Sequence, residues 1–217
     1  MRYVDLSHTI FNGLQTYKGL PAPLICDYLS REASRELYED GTTFSIGSVD
    51  MVGNTGTYMD CPFHRYEDGK DFTQFFLSDL ADLPGVKVSV PFTETKAISR
   101  QHFEDLELEG KAVLIETGWS KHWNTEQYYV DHPYLSIDAA EYLRTNQVKL
   151  VGIDSYNIDD TRSNSRPVHS ILLGKNILIV EHMCQLHLTP GSNFYFTAIP
   201  PKIKGMGSFP VRAFVKF

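Results

Sequence analysis

The sequence predicts a mixed α/β domain in which strands outnumber helices. Three observations support this. Short apolar runs of strand length recur through the chain, one clearly marked helical stretch lies between two of them, and the 217 residues contain no linker-like break. Val86, Val88 and Val90 alternate with Lys87 and Ser89, the two-residue period of a half-buried strand. Ser99 is placed to cap a short helix toward Leu106. Lys111 to Thr117 is an apolar run that stops at Gly118, as a buried strand does. Ser136 can cap a helix through about Asn146, with Ile137, Ala140 and Leu143 on one face. Val148 to Ile153 and Ile177 to Val180 read as two more buried strands, and 112–153 as a βαβ unit. Val211 to Phe217 alternates and reads as a closing strand.

Composition narrows the function. Hydrophobic residues make up 42% and charged residues 22%, as in ordinary globular chains. With no repeat and no cluster of Pro or Gly, residues 1–217 are expected to form a single domain. The net charge of −7, with no Lys/Arg-rich run, argues against nucleic acid as a partner. The first residues carry early charges and no apolar run, unlike a signal peptide. No apolar stretch approaches the roughly 18–20 residues of a membrane helix. Cys26, Cys61 and Cys184 are odd in number and lack CxxC spacing, which disfavours a disulfide framework or a thiolate zinc site. A reducing cytoplasm is the expected compartment.

The chemistry concentrates in residues 53–64. Gly53, Gly56 and Pro62 shape this segment as a loop, and Asn54, Tyr58, Asp60 and His64 stand along it. Each can ligate a cation or move a proton. Asp60 and His64 are four residues apart across a proline, so a bend brings both to one point. Spacing alone leaves three readings open: ligands for a divalent ion, an acid/base pair, or an Asx turn beside a surface histidine. Acidic residues also sit where strands end, at Glu116, Asp154 and Glu181. Glu181 follows four aliphatic residues, where an unpartnered buried carboxylate is costly. For Glu116 and Asp154, a strand meeting water is sufficient explanation.

The segment Asn54-Thr-Gly-Thr-Tyr-Met-Asp-Cys-Pro-Phe-His64 resembles the signature His-x-Gly-Thr-His-x-Asp-x-Pro-x-His of the cyclase-like metal-dependent hydrolases. That family includes bacterial kynurenine formamidase and isatin hydrolase. Of seven defined positions five match: Gly56, Thr57, Asp60, Pro62 and His64. Further segments are similar to the family's along the chain: Asp5 to Ile10 as its opening strand, Tyr17-Lys-Gly-Leu-Pro21, Thr117-Gly-Trp119, Val151-Gly-Ile-Asp-Ser155, His169 to Leu173 and Ile179-Val-Glu181. The resemblance implies a swivelling β/β/α domain, often a homodimer or homotetramer. It also implies Asp60, His169 and Glu181 as metal ligands and His64 as the proton-transfer residue.

Asn54 and Tyr58 depart from the pattern by standing where it has two metal-binding histidines. Asn54 offers a neutral oxygen as a fourth donor. Tyr58 offers a phenol of ordinary pKa about 10, a poor ligand but a possible hydrogen-bond donor to an oxyanion. This donor set shifts the expectation from a zinc pair to a single divalent ion, zinc or manganese. The expected function is metal-dependent hydrolysis of an amide, formamide or lactone bond in a small-molecule substrate. The alternatives are a small-molecule-binding member of the same fold that has lost catalysis, and a cyclase or dehydratase using Tyr58 and His64 as acid and base. His8, His102, His122, His132, His182 and His187 read as turn, cap, core or surface residues, and Cys61 as a small filler. Tyr17, Trp119 and Trp123 are candidates to line a pocket, and Arg65 to hold an anionic substrate.

Overall fold

Alternating and continuous apolar runs build one nine-stranded mixed sheet, described over residues 1–217 by a computed structural model. The strands in chain order are β1 (Tyr3–Asp5), β2 (Leu24–Leu29), β3 (Ile46–Asp50), β4 (Tyr58–Asp60), β5 (Leu83–Ser89), β6 (Ala97–Ile98), β7 (Ala112–Glu116), β8 (Tyr134–Leu135), β9 (Leu150–Ile153), β10 (Leu178–Glu181), β11 (Phe194–Thr197), β12 (Ser208–Pro210) and β13 (Phe214–Lys216). Three α-helices, α1 (Arg31–Ser34), α2 (Ile137–Thr145) and α3 (Pro167–Leu173), join them, with several single 3₁₀ turns. The sheet order is β1-β13-β11-β5-β7-β9-β10-β4-β12. Its centre, β5-β7-β9-β10, is parallel and its flanks are antiparallel.

The parallel centre explains the continuous apolar runs, because both faces of those strands are covered. Val113 and Ile115 of β7, Val151 and Ile153 of β9, and Ile179 of β10 pack on one face against α2 and α3. Ala112, Leu114, Leu150, Leu178 and Val180 point to the other face, into a second core with Phe194, Phe196 and Val215. The sheet curls around this second core. Residues 211–213 leave β12, bond to Thr57 and Leu6, and enter β13 at the other end of the sheet. One segment therefore ties both edges.

The expected βαβ unit forms, with β7 and β9 parallel neighbours and α2 between them in sequence. Local readings differ in detail. Ser136 occupies the N-cap of α2, but its hydroxyl lies 2.9 Å from Ile98 O and 2.5 Å from Asp138 Oδ1, two acceptors that compete for its one proton, and it accepts no backbone N–H. The β6–β8 pairing brings that carbonyl within reach. The buried face of α2 is Ala139, Ala140 and Leu143, while Ile137 in the first turn is 56% exposed. The stretch after Ser99 is one 3₁₀ turn, Arg100–His102, because the Ser99 carbonyl engages His102 Nδ1 and its hydroxyl caps nothing. The opening strand is Tyr3–Asp5, after which only Ser7 bridges, to Met183. The closing strand is shortened to Phe214–Lys216, since 211–213 serve the edge crossing.

β2 and β3 form a separate antiparallel hairpin whose residues are exposed along almost their whole length. Leu24, Tyr28, Ile46 and Val49 all face solvent in the single chain. A two-stranded hairpin on its own is marginal in water.

Candidate active site

Register places the site. β4 pairs with β10 so that Tyr58 lies opposite Glu181, and with β12 so that Asp60 lies opposite Ser208. Directly opposed residues share a face, and residues two apart on a strand do too. Tyr58, Asp60, Glu181 and Ser208 therefore project together on the face that carries α3, and α3 supplies His169. Met59 points the other way, into the second core.

Asp60 is fully buried. Its Oδ1 accepts from the Ser208 hydroxyl, but its Oδ2 is buried without any hydrogen-bond partner. His169 Nε2 sits 3.5 Å from that Oδ2 and 3.7 Å from Glu181 Oε1. The other ring nitrogen, Nδ1, donates to Asp159 Oδ2 at 2.6 Å. Asp159 also accepts from the backbone N–H of Val168 at 2.8 Å and of His169 at 3.0 Å. The carboxylate thus fixes both the start of α3 and the ring orientation, and Nε2 faces Asp60. Burial opposes charge on His169, but the bond to Asp159 and the Asp60 and Glu181 carboxylates outweigh it and raise its pKa to about 10.

Glu181 is engaged on both oxygens. Tyr58 donates to Oε2 at 2.5 Å, and the backbone N–H of Ile158 donates to Oε1 at 2.6 Å. Burial lifts its pKa to about 7 against the pull of His169. The Tyr58 phenol is itself pushed well above its usual pKa, first by burial and then by the Glu181 charge. Tyr17 completes this network, its hydroxyl 2.9 Å from that of Tyr58. His64 is more open: its Nδ1 bonds Ser208 Oγ at 2.8 Å, and because that hydroxyl donates to Asp60, Nδ1 supplies the proton.

Tyr17, Leu20, Asn54, Tyr58, His64, Arg65, Asn157, Arg166 and His169 line a cavity of about 300 Å³ above these groups. Asn54 makes no side-chain hydrogen bond. One ligand atom each from Asp60, His64 and His169 lies within 4.8 Å of the others. An orphaned carboxylate oxygen facing an imidazole nitrogen is the donor set a divalent ion takes, so these residues fit such an ion.

The structure thus brings Asp60, His64 and His169 together, sets Glu181 at the edge with its oxygens already bonded, and puts Asn54 and Tyr58 on the cavity wall. Two functional residues escaped the sequence reading. Asp159 had one available signal, a carboxylate ten residues ahead of His169 in a polar stretch. Ser208 had none, since only strand pairing carries it to Asp60. Of the aromatic candidates, Tyr17 lines the cavity. Trp119 is core, and its indole donates to Tyr128 O at 3.1 Å. Trp123 stacks on His8 with ring centroids 4.1 Å apart. His182 is buried among aromatic rings, bonded to Tyr128 OH at 2.9 Å, and burial holds its pKa well below the usual value. Burial pushes the Cys61 thiol up to about 12, consistent with a filler. Asp154 does not mark a strand meeting water: it is buried and structural, accepting from Thr117 N at 2.8 Å, Thr117 Oγ at 2.5 Å and Gly118 N at 2.8 Å, and so holds the turn after β7. Glu116 pairs with Lys87 at 2.7 Å.

The model of the Cyclase family, described as "Putative cyclase", matches residues 4–160. The chain belongs to this family. Among curated proteins, the cyclase-family chain is 26% identical over 215 residues to kynurenine formamidase of Bacillus cereus (strain ATCC 14579), covering 99% of this chain and 97% of that protein. It is 24% identical over 216 residues to the kynurenine formamidase of Bacillus anthracis, with coverage of 99% and 97%. A structure described as a predicted metal-dependent hydrolase from Bacillus stearothermophilus superposes with a TM-score of 0.79 at 25% identity, covering 99% of this chain and 97% of that one. Isatin hydrolase A from Labrenzia aggregata, bound to benzyl benzoate, shares the fold with a TM-score of 0.84 at 19% identity, over 99% and 93% of the two chains. The nine-stranded curled sheet is thus the fold of cyclase-family structures.

Proposed function

We propose that this protein is a divalent-metal-dependent hydrolase acting on an amide, formamide or lactone bond of a small molecule. The observation that carries the proposal is Asp60 Oδ2, fully buried, without a hydrogen bond and 3.5 Å from His169 Nε2 at the floor of an open cavity. Leaving a buried charged oxygen unsatisfied is costly, and a cation removes the cost. In this reading Asp60 and His169 hold one ion, zinc or manganese, with Glu181 beside them and Asn54 as a neutral donor from the wall. When bound, such an ion polarises a carbonyl and lowers the pKa of water.

The chain's own groups do the rest. Ser208 holds His64 by Nδ1 and so leaves its other ring nitrogen free to carry a proton between water and leaving group, a role typically worth ~10²–10⁴ in rate. Asp159 orients His169. Tyr58 commits its proton to Glu181, so its first role is to hold that carboxylate, and it reaches a substrate oxyanion only if that bond breaks. Its raised pKa also makes it a poor acid/base partner, which favours hydrolysis over the cyclase or dehydratase alternative. We read Asn54 and Tyr58 as replacements of two metal-binding histidines that leave a one-metal site.

A second placement of His64, as third ligand, is favoured by its grouping with Asp60 and His169 within 4.8 Å. His64→Ala separates the two. A proton carrier loses turnover over an amide and lactone panel while metal content by elemental analysis is kept; a ligand loses both. Protein that holds no metal and hydrolyses nothing on the panel supports the binding-protein alternative and ends the hydrolase reading.

We read residues 1–217 as one domain of the swivelling β/β/α type. The exposed β2–β3 hairpin supports assembly into a homodimer or homotetramer, which light scattering tests directly. No helix is long and apolar enough to cross a membrane, and the three free cysteines suit a reducing cytoplasm.

A further inference from the structure

The charged groups around the cavity have one sign. Among its lining residues are two arginines, Arg65 and Arg166, two histidines and two amides, and no Asp or Glu. The carboxylates of the site, Asp60 and Glu181, lie fully buried beneath the floor. Four of the nine arginines pair with carboxylates: Arg100, Arg144, Arg162 and Arg212. Arg65 and Arg166 have no carboxylate within 4.0 Å.

Both are nevertheless held in place. Arg65 follows His64 directly, and its Nε donates to Ser170 Oγ at 3.0 Å, the residue after His169. Its two Nη groups are left without a protein acceptor. Arg166 donates through Nη1 to Ser163 O and Ser165 O, each at 2.7 Å, which leaves Nε and Nη2 free. An anchored guanidinium with free N–H groups is a ready-made fork for a planar anion, and less side-chain freedom is lost when the anion arrives. Each arginine is also next, or close, in sequence to a residue of the reacting floor: Arg65 to His64, Arg166 to His169.

We propose that the substrate is anionic: a small acyl compound bearing a carboxylate, which Arg65 and Arg166 receive while the scissile carbonyl lies over Asp60, His64 and His169. Tyr17, Leu20 and Tyr58 supply an apolar wall for the body between the two ends. A cavity of about 300 Å³ is at the small end of ligand sites, so the carboxylate and the acyl group belong to one compact molecule. This inference rests on the hydrolase reading for the identity of the bond cleaved, but not for the charge preference.

The test compares benzoate with benzamide, which share shape and differ in charge, by calorimetric titration of the metal-loaded protein and of protein stripped of metal. Benzoate is expected to bind at least roughly tenfold tighter in both forms, as a charge-assisted contact requires. Arg65→Met and Arg166→Met, which keep the aliphatic stem, are expected each to remove most of that preference with unchanged melting temperature, and Arg65→Lys to keep part of it. Equal binding of the two probes, or a preference that survives both Met variants, overturns the proposal. A preference present only with metal also overturns it, because the ion alone would then hold the carboxylate. Phenylphosphonate binding tenfold tighter than benzoate overturns the carboxylate assignment. Benzoate selectivity without turnover of any acyl compound leaves this inference standing and removes the hydrolase reading; turnover that ignores substrate charge does the reverse.

Discussion

Asp159→Asn tests whether the orientation of His169 is what makes the site. Asp159 Oδ2 faces two donors, His169 Nδ1 at 2.6 Å and His169 N at 3.0 Å, and Oδ1 faces Val168 N at 2.8 Å. Asparagine preserves the shape but turns one oxygen into an NH₂ donor. If that nitrogen replaces Oδ2, two donors meet a donor; if the amide flips, Val168 N loses its acceptor. Losing one charge-assisted bond of this kind costs about 1.5–3 kcal/mol. At roughly 2–4 °C per kcal/mol for a domain of this size, the melting temperature falls by roughly 3–12 °C. His169 also loses the partner that points Nε2 at Asp60, so divalent-ion affinity falls about 10–100-fold. Circular-dichroism melts give the first number and chelator competition the second. A variant that binds zinc or manganese as tightly as the parent refutes the reasoning, whatever its melting temperature, because orientation would then not depend on Asp159.

Removing metal should expose a pH dependence of stability. His169 has its pKa raised from 6.5 to about 10, so its stabilising contribution is complete below about pH 6.5 and is lost as pH rises through about 10. Glu181, raised from 4.5 to about 7, acts in the same sense: its contribution is complete below about 4.5 and lost as pH passes about 7. Chelated protein therefore melts at falling temperature from pH 5 to 10, whereas metal affinity rises over the same range because binding displaces a proton; a flat chelated profile speaks against the His169 cluster. Tyr58→Phe deletes the 2.5 Å bond to Glu181 and is expected to destabilise by about 1.5–3 kcal/mol in urea unfolding, and an unchanged midpoint would mean that the bond contributes nothing net. Gly207→Ala puts a Cβ 2.4 Å from His64 N and 2.5 Å from its Cα, backbone that cannot move aside cheaply. The variant should lose at least about 1–3 kcal/mol and most activity, and parent-like turnover would show that the His64 backbone position is not critical.

Much of this protein was readable from residue order. The apolar runs at 86–90, 111–117, 148–153 and 177–180 all became strands, because a strand buried on both faces needs continuous or alternating apolar residues wherever it lies. The segment 54–64 declared its chemistry because Asp60 and His64 stand four apart across Pro62, a local constraint, although Tyr58 to Asp60, expected as loop, is strand β4, because it pairs with β10 and β12. Short helices and caps were less legible: Ser99 and Ser136 have the right side chains for capping, yet the Ser99 hydroxyl caps nothing and the Ser136 hydroxyl meets Ile98 O, brought within reach by the β6–β8 pairing, instead of a backbone N–H.

The tertiary structure alone decided how the site is completed. Whether Tyr58 faces Glu181, and Asp60 faces Ser208, depends on the register of β4 against β10 and β12, and a slip of one residue would turn all of these side chains to the opposite face. Nothing in the sequence around Ser208 marks it as a partner of a residue 148 positions away. The same holds for Asp159, whose role exists only because α3 begins where its carboxylate can accept three N–H groups. The sequence by itself thus determined the parallel central strands β5, β7, β9 and β10 and which segment carries the acid and the imidazole. Register and packing determined which distant groups meet there, because those contacts are fixed by long-range pairing energies that no local window of residues contains.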